Sequence, residues 1–149
     1  PGDSLERLIT DANESTASTL RTLIEPLADL IARFHGAGYA HRDLYLAHIF
    51  YDADAARGSQ LHLIDLQRVI RPSYRAMRWI VKDLAALNFS TPAGLLSRTD
   101  RMRWLTRYLG KRRLDAAGRR LAYRVIGKTE RITRREARRA RRDAGGANR

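Results

Sequence analysis

The chain has 149 residues, 44% hydrophobic and 30% charged, which is enough for one domain with a real core. It has no cysteine, so disulfide scaffolds, cysteine zinc sites and thiol catalysis are excluded. Its longest uncharged run, the 14 residues 84–97, is broken by Pro92 and Gly94 and falls short of the roughly 20 apolar residues a spanning helix needs. The net charge of +13 is uneven: residues 1–97 sum to −1 and residues 98–149 to +14. That asymmetry points to an anionic partner, whether nucleic acid, a membrane surface or a phosphorylated substrate, against the plainer alternative of a solvated arginine-rich helix.

The turn Pro1-Gly2-Asp3-Ser4 feeds a short helix from Leu5 to about Ala12, with Asp3 or Ser4 as N-cap. From Ser18 to Ala37, Leu20, Leu23, Ile24, Leu27, Leu30, Ile31 and Phe34 keep the three-four spacing of an amphipathic helix. Pro26 is expected to kink or break it, and Gly36 and Gly38 to end it. Two runs of strand character follow, Ala47–Tyr51 and Leu61–Asp65, joined as a hairpin by the turn-rich residues 52–60. In the second run the apolar alternation is imperfect, which predicts burial on both faces.

A helix is predicted over Tyr74–Phe89, with Met77, Ile80, Val81 and Leu84 in register and Asn88 breaking the pattern. Ser90-Thr91-Pro92-Ala93-Gly94 ends it. Helices over Ser97–Leu109 and Leu114–Ile126 come next, then a separate basic helix from Thr129 to about Arg142. The fold class predicted is mostly α with one small β-hairpin, divided into a body over residues 1–126 and a basic helical tail over 127–149.

The chemistry sits around the hairpin. His41-Arg42-Asp43-Leu44-Tyr45-Leu46-Ala47-His48 leads into the first strand, and Leu63-Ile64-Asp65 ends the second. A hairpin brings its two ends together, so Asp43 and Asp65 are expected to face one another across one small site. Such a pair suits phosphoryl transfer, with one carboxylate taking the proton of the attacking hydroxyl and the other holding Mg²⁺ on nucleotide phosphates. His-Arg-Asp alone is a weak signal in an arginine-rich chain. The preceding helix, the hairpin and a second Asp 22 residues on make it specific. The plainer reading has Asp43 capping a turn and Asp65 pairing with a nearby arginine.

These residues resemble the C-terminal lobe of a protein-kinase-like fold, and most closely the lipopolysaccharide core kinases that phosphorylate heptose or Kdo sugars. The likeness rests on residues 41–50, on Leu63-Ile64-Asp65-Leu66-Gln67-Arg68-Val69, on residues 78–90 with their Lys82-Asp83-Leu84-Ala85-Ala86-Leu87 block, and on Thr99-Asp100-Arg101. The resemblance implies a sugar kinase, a phosphotransferase with an alcohol acceptor, using ATP and Mg²⁺. It implies Asp43 as catalytic base within the His41-Arg42-Asp43 motif and Asp65 as metal ligand. It also implies Asp83 as the buried carboxylate that braces the catalytic loop; the plainer reading of Asp83 is a surface ion pair with Arg78 or Lys82. His48 stands where protein kinases carry an Asn metal ligand. It ligates the metal, acts through water, or orients Asp43. Leu66-Gln67 replace the Phe-Gly that follows the metal Asp in protein kinases, so no switch of that type is expected. Tyr45 occupies the position of a phosphate-contacting lysine in many Ser/Thr kinases, which disfavours a protein substrate.

No glycine-rich loop precedes this region, and the three lysines, Lys82, Lys111 and Lys128, all follow the catalytic loop. With no Met or signal-peptide pattern at Pro1, the chain reads as a C-lobe fragment, expected to turn over little or nothing by itself. The implied acceptor is a lipopolysaccharide core sugar or a lipid A-linked acceptor. The implied location is cytoplasmic, at the inner face of the cytoplasmic membrane, with the basic tail on the anionic membrane surface. Two other readings are open: a catalytically dead kinase-like binding module, and a basic nucleic-acid-binding protein. Against the last, no aromatic follows Tyr123, so the stacking residues of a single-strand binder are missing and nucleic acid is not an expected partner.

Overall fold

A computed structural model describes residues 2–10, 14–52 and 61–146. In chain order the elements are β1 (Asp3–Ser4), α1 (Leu5–Thr10), α2 (Glu14–Gly36), β2 (Ile49–Tyr51), β3 (Leu61–Leu63), α3 (Ala76–Ser90), α4 (Arg98–Tyr108) and α5 (Ala116–Gly146). Single 3₁₀ turns at Leu46–His48 and Leu66–Arg68 flank the hairpin. The mostly helical class and the hairpin are as expected, and the hairpin gains a third strand. β1 pairs antiparallel with β2 (Asp3 opposite Tyr51), and β2 with β3 (Ile49 opposite Leu63). Ser4 Oγ accepts the Arg7 N–H at 3.2 Å, so one residue closes the strand and caps α1.

The core lies where α2, α3 and the sheet meet, around Leu23, Ile31, Leu44, Ile49, Leu61 and Leu84. α2 packs on α4, and α3 on α5. Pro26 lies inside α2, which runs on past it, so the expected break is absent. Its cost includes the hydrogen bond that proline cannot donate to the carbonyl four residues earlier. Gly38 takes φ +87, the left-handed conformation that turns the chain back toward the sheet.

Three expectations are corrected. Burial on both faces of the second strand is not found: Leu61 is buried, but His62, Ile64 and Leu66 are exposed, because only one face of this small sheet has helices against it. Met77 is exposed, and the α3 core face is instead Val81, Leu84, Ala85 and Leu87. The two helices expected over 114–126 and 129–142 are one, since α5 runs through Gly127 without interruption. The boundary drawn between residues 126 and 127 therefore falls inside a helix. Just past Gly127, Thr129 ties α5 to α3: its hydroxyl donates to Val125 O (3.0 Å) within α5 and accepts Asn88 Nδ2–H (3.1 Å) from α3. Asn88 also accepts Arg101 Nη1 from α4 at 2.6 Å, so the residue that spoils the apolar pattern ties three helices together. The turn residues 53–60 lie outside the described residues. Among the described residues no helix is long and apolar enough to cross a membrane.

Candidate active site

The candidate catalytic loop, residues 41–46, is pinned at both ends. At its start, Ala40 and Ile70 exchange two backbone hydrogen bonds of 2.9 Å, joining the exit of α2 to the chain beyond β3. At its end, Leu46 N–H donates to Ser90 Oγ at the C-terminus of α3, 3.0 Å away. Between these points Asp83 rises from α3 with 0% of its surface exposed. Its Oδ2 accepts the His41 N–H and its Oδ1 the Arg42 N–H, each at 2.7 Å. Two charge-assisted bonds to backbone offset the cost of taking a carboxylate out of water. Arg42 sits at φ +74, a left-handed conformation costly for a residue with a side chain and maintained by this grip.

A second tier supports Asp83. His35, from the last turn of α2, places Nε2 3.4 Å from Asp83 Oδ2 and Nδ1 2.8 Å from the hydroxyl of Tyr108 on α4. Burial pushes the Tyr108 phenol up to about 12, with the nearby Asp83 adding to the effect. The His41 imidazole is fully buried, and its Nε2–H donates to the Ile64 carbonyl at 2.9 Å, joining the loop to the residue before Asp65.

The two candidate carboxylates lie on either side of His48. Its Nδ1–H donates to the Asp43 backbone carbonyl at 2.7 Å, which leaves Nε2 facing Asp65 Oδ2 at 3.7 Å. Asp65 itself is left-handed at φ +54, heading the turn Leu66–Arg68. The Asp43 carboxylate meets two cations: Arg68 Nη1 at 2.5 Å from Oδ2 and Lys82 Nζ at 3.6 Å from Oδ1. Lys82 also donates to the Arg42 carbonyl and lies over the Trp79 ring, 6.0 Å from its centroid. Burial pulls the Lys82 ammonium below its ordinary pKa, and Asp43 works against that pull. Burial likewise raises the Tyr45 phenol, with Asp43 and Glu136 of α5 adding to it. The ring of Tyr45 stands edge-on to those of His48 and Phe89.

Of the residues singled out from sequence, His41, Arg42, Asp43, His48, Asp65 and Asp83 converge here. Asp83 makes no surface pair with Arg78 or Lys82: Arg78 stacks on Trp79, and Lys82 turns to Asp43. His35 and Tyr108 were missed, and Arg68, quoted above for the likeness, was given no role. They come from three separate elements, and no local spacing marks them.

The donor set bears on metal and nucleotide. With Nδ1 protonated, a neutral His48 presents its Nε2 lone pair to a carboxylate oxygen 3.7 Å away, a span one cation can bridge. Among the described residues no three His, Asp or Glu side chains form a metal cluster. The His48 Nε2 and Asp65 Oδ2 pair fits a cation that takes one or two protein ligands and completes its shell with phosphate and water, as Mg²⁺ does.

Residues 1–108 match the lipopolysaccharide kinase (Kdo/WaaP) family. The chain is 38% identical over 91 residues to the lipopolysaccharide core heptose(I) kinase WaaP of Pseudomonas aeruginosa, covering 59% of this chain and 34% of that protein. To the Escherichia coli K12 protein of the same name it is 32% identical over 115 residues, covering 74% of this chain and 43% of the relative. Among solved structures it is similar to WaaP in complex with acyl carrier protein, with a TM-score of 0.68 at 32% identity, over 89% of this chain and 58% of that one. It therefore spans less than half the length of either curated relative. The fold is kinase-like, and the chain belongs to the lipopolysaccharide kinase (Kdo/WaaP) family.

Proposed function

We propose that this chain supplies the acceptor-side half of an ATP-dependent kinase that phosphorylates a heptose or Kdo sugar of the lipopolysaccharide inner core. The observation that carries the reading is the Asp83 carboxylate on the backbone of His41 and Arg42, which sets Asp43 at the head of a rigid loop with His48 and Asp65 behind it. Asp43 accepts the proton of the sugar hydroxyl as that oxygen attacks the γ-phosphorus, and ADP leaves. Asp65, with His48 through Nε2, would hold Mg²⁺, which neutralises charge on the phosphates. For the acceptor hydroxyl to reach Asp43, Arg68 must give up its carboxylate oxygen. Its exposed position on a short turn permits that.

The family likeness also suggests partners. The distal half of α5 carries seven arginines over residues 131–142 and fits an anionic membrane surface, which would place the protein at the inner face of the cytoplasmic membrane. The solved relative was captured with acyl carrier protein. A groove of about 800 Å³ between α3, α4 and α5, lined by Leu84, Leu87, Met102, Leu105, Val125 and Ile126, gives this chain an apolar surface suited to an acyl group.

The test is transfer of labelled γ-phosphate from ATP to inner-core oligosaccharide by the complete gene product. Asp43→Asn is expected to lower the rate by about 10³-fold with the fold intact. A rate near that of the parent would overturn the base assignment. The 149 residues alone, lacking a glycine-rich loop, are expected to transfer phosphate barely above background.

A further inference from the structure

Phosphoryl transfer needs positive charge on the oxygens of the moving group, because the transition state spreads charge over three of them and catalysis is chiefly electrostatic. A divalent cation held by Asp65 and His48 would meet part of that need. On the acceptor side, Tyr45 provides no cation, and two others reach the Asp43 carboxylate. Arg68, 54% exposed, reaches it from a three-residue turn. Lys82 is held more firmly. It projects from the middle of α3, one residue before the brace Asp83, and its ammonium is fixed by the Arg42 carbonyl, the Asp43 carboxylate and the face of Trp79.

This position has a geometric consequence. An acceptor hydroxyl bonded to Asp43 lies about 3 Å from the carboxylate, and the phosphorus it attacks about 3 Å further on. An ammonium already 3.6 Å from the same carboxylate, on a four-carbon stem, can reach an oxygen of that phosphoryl group without breaking its bond to the Arg42 carbonyl. Its three N–H donors allow carbonyl, carboxylate and phosphoryl oxygen to be engaged together.

We propose that Lys82 is a catalytic residue, its ammonium gripping the phosphoryl group in flight from the acceptor side while Asp43 takes the hydroxyl proton. In the step, the acceptor oxygen–phosphorus bond forms and the bond to the ADP oxygen breaks. The electron pair leaves with ADP, and Lys82 keeps its proton throughout. The proposal rests on the kinase reading above and adds to it a residue from a different element of the fold.

The test uses the 149-residue chain and Mg²⁺-tripolyphosphate as probe, followed by phosphorus and amide NMR. Lys82→Met is expected to weaken binding about tenfold or more, the loss of one charge-assisted hydrogen bond, and Lys82→Arg to recover most of it. Arg75→Met removes the same charge at the turn before α3, where the guanidinium lies on Tyr74, and is expected to change affinity by less than about twofold. Asp65→Asn reports on the metal side. If Asp65→Asn weakens binding and Lys82→Met does not, the Lys82 proposal is overturned and the kinase reading stands. If Lys82→Met and Arg75→Met weaken it equally, the effect is general charge and the proposal also fails. If the parent chain does not bind the probe, or none of the variants changes its binding, the Lys82 proposal is overturned, and the kinase reading stands or falls by the γ-phosphate transfer assay of the complete gene product. A purely structural Lys82 would alter the melting temperature of the Met variant and leave probe affinity untouched.

Discussion

Between Glu25 and Tyr108, carboxylates find their cations far away in sequence. Glu25 takes Arg103, Asp29 takes Arg107 and Asp43 takes Arg68 and Lys82, while Asp83 takes two backbone N–H groups and lies beside the His35 ring. Beyond Thr129 the pattern reverses. Every residue from Thr133 to Ala144 is exposed, and the ion pair found there, Arg134 with Glu130 at 4.0 Å, joins residues one turn apart. The first arrangement closes long loops and fixes which helix meets which. The second adds little to stability, since exposed pairs are worth at most about 1 kcal/mol, and leaves most of its charge in solvent.

The sharpest way to break this contrast is Asp83→Ala, which orphans two buried N–H groups and the His35 ring. It is expected to cost about 3–5 kcal/mol in urea unfolding, and a loss under about 1 kcal/mol would make Asp83 an ordinary surface charge. Tyr108 comes next. Its phenol titrates near 12 in the fold against 10.0 ordinarily, so between those values the folded chain holds one more proton than the unfolded. Its contribution is complete below pH 10 and lost as pH rises toward 12, a span of about 2–3 kcal/mol. Urea midpoints of the parent and Tyr108→Phe should converge over that interval, and parallel curves would defeat the assignment.

Smaller effects sit at the surface. Arg107→Ala should lower stability only slightly at neutral pH, because its pair with Asp29 is solvent-exposed. The Arg107 hydrogen bond holds the Asp29 carboxyl below its ordinary 3.8, so what this pair contributes is present above that value and lost as pH falls through the lowered one. Parent and variant stabilities should therefore draw together in acid. Replacing Arg131, Arg134, Arg135 and Arg138 by Gln should move stability by no more than about 0.5 kcal/mol. The same change should reduce binding to phosphatidylglycerol vesicles, and added salt should weaken the binding of the parent. Unchanged vesicle binding would take the membrane role from the distal helix.

Much of the fold was legible because its signals are local. Three-four spacing marked α2 and α3, turn residues bracketed the hairpin, and a helix was placed from Ser97, where the structure shows a capping box with Asp100. The motif residues could be placed near one another because a hairpin joins its own ends. What was not legible is what depends on pairing between distant elements. β1 is two residues long and exists only because β2 lies beside it. Asn88 read as an error in a pattern until Arg101 and Thr129 were seen against it. Lys82 and Asp83 are neighbours in sequence, yet one residue on a helix is a turn of 100°, which sends one to the carboxylate of the catalytic loop and the other to its backbone.

The unbroken α5 has a mechanical consequence. At 1.5 Å per residue its 31 residues make a rod of roughly 45 Å, and about 25 Å of it lies past the Thr129 contact with α3. Because the rod is clamped at one end to the helix that carries Lys82 and Asp83, a surface that captures its arginines also sets the tilt and standoff of the catalytic loop above that surface. On the proposed function, the distal helix would act as a gauge of how far from the bilayer an acceptor hydroxyl must stand to meet Asp43.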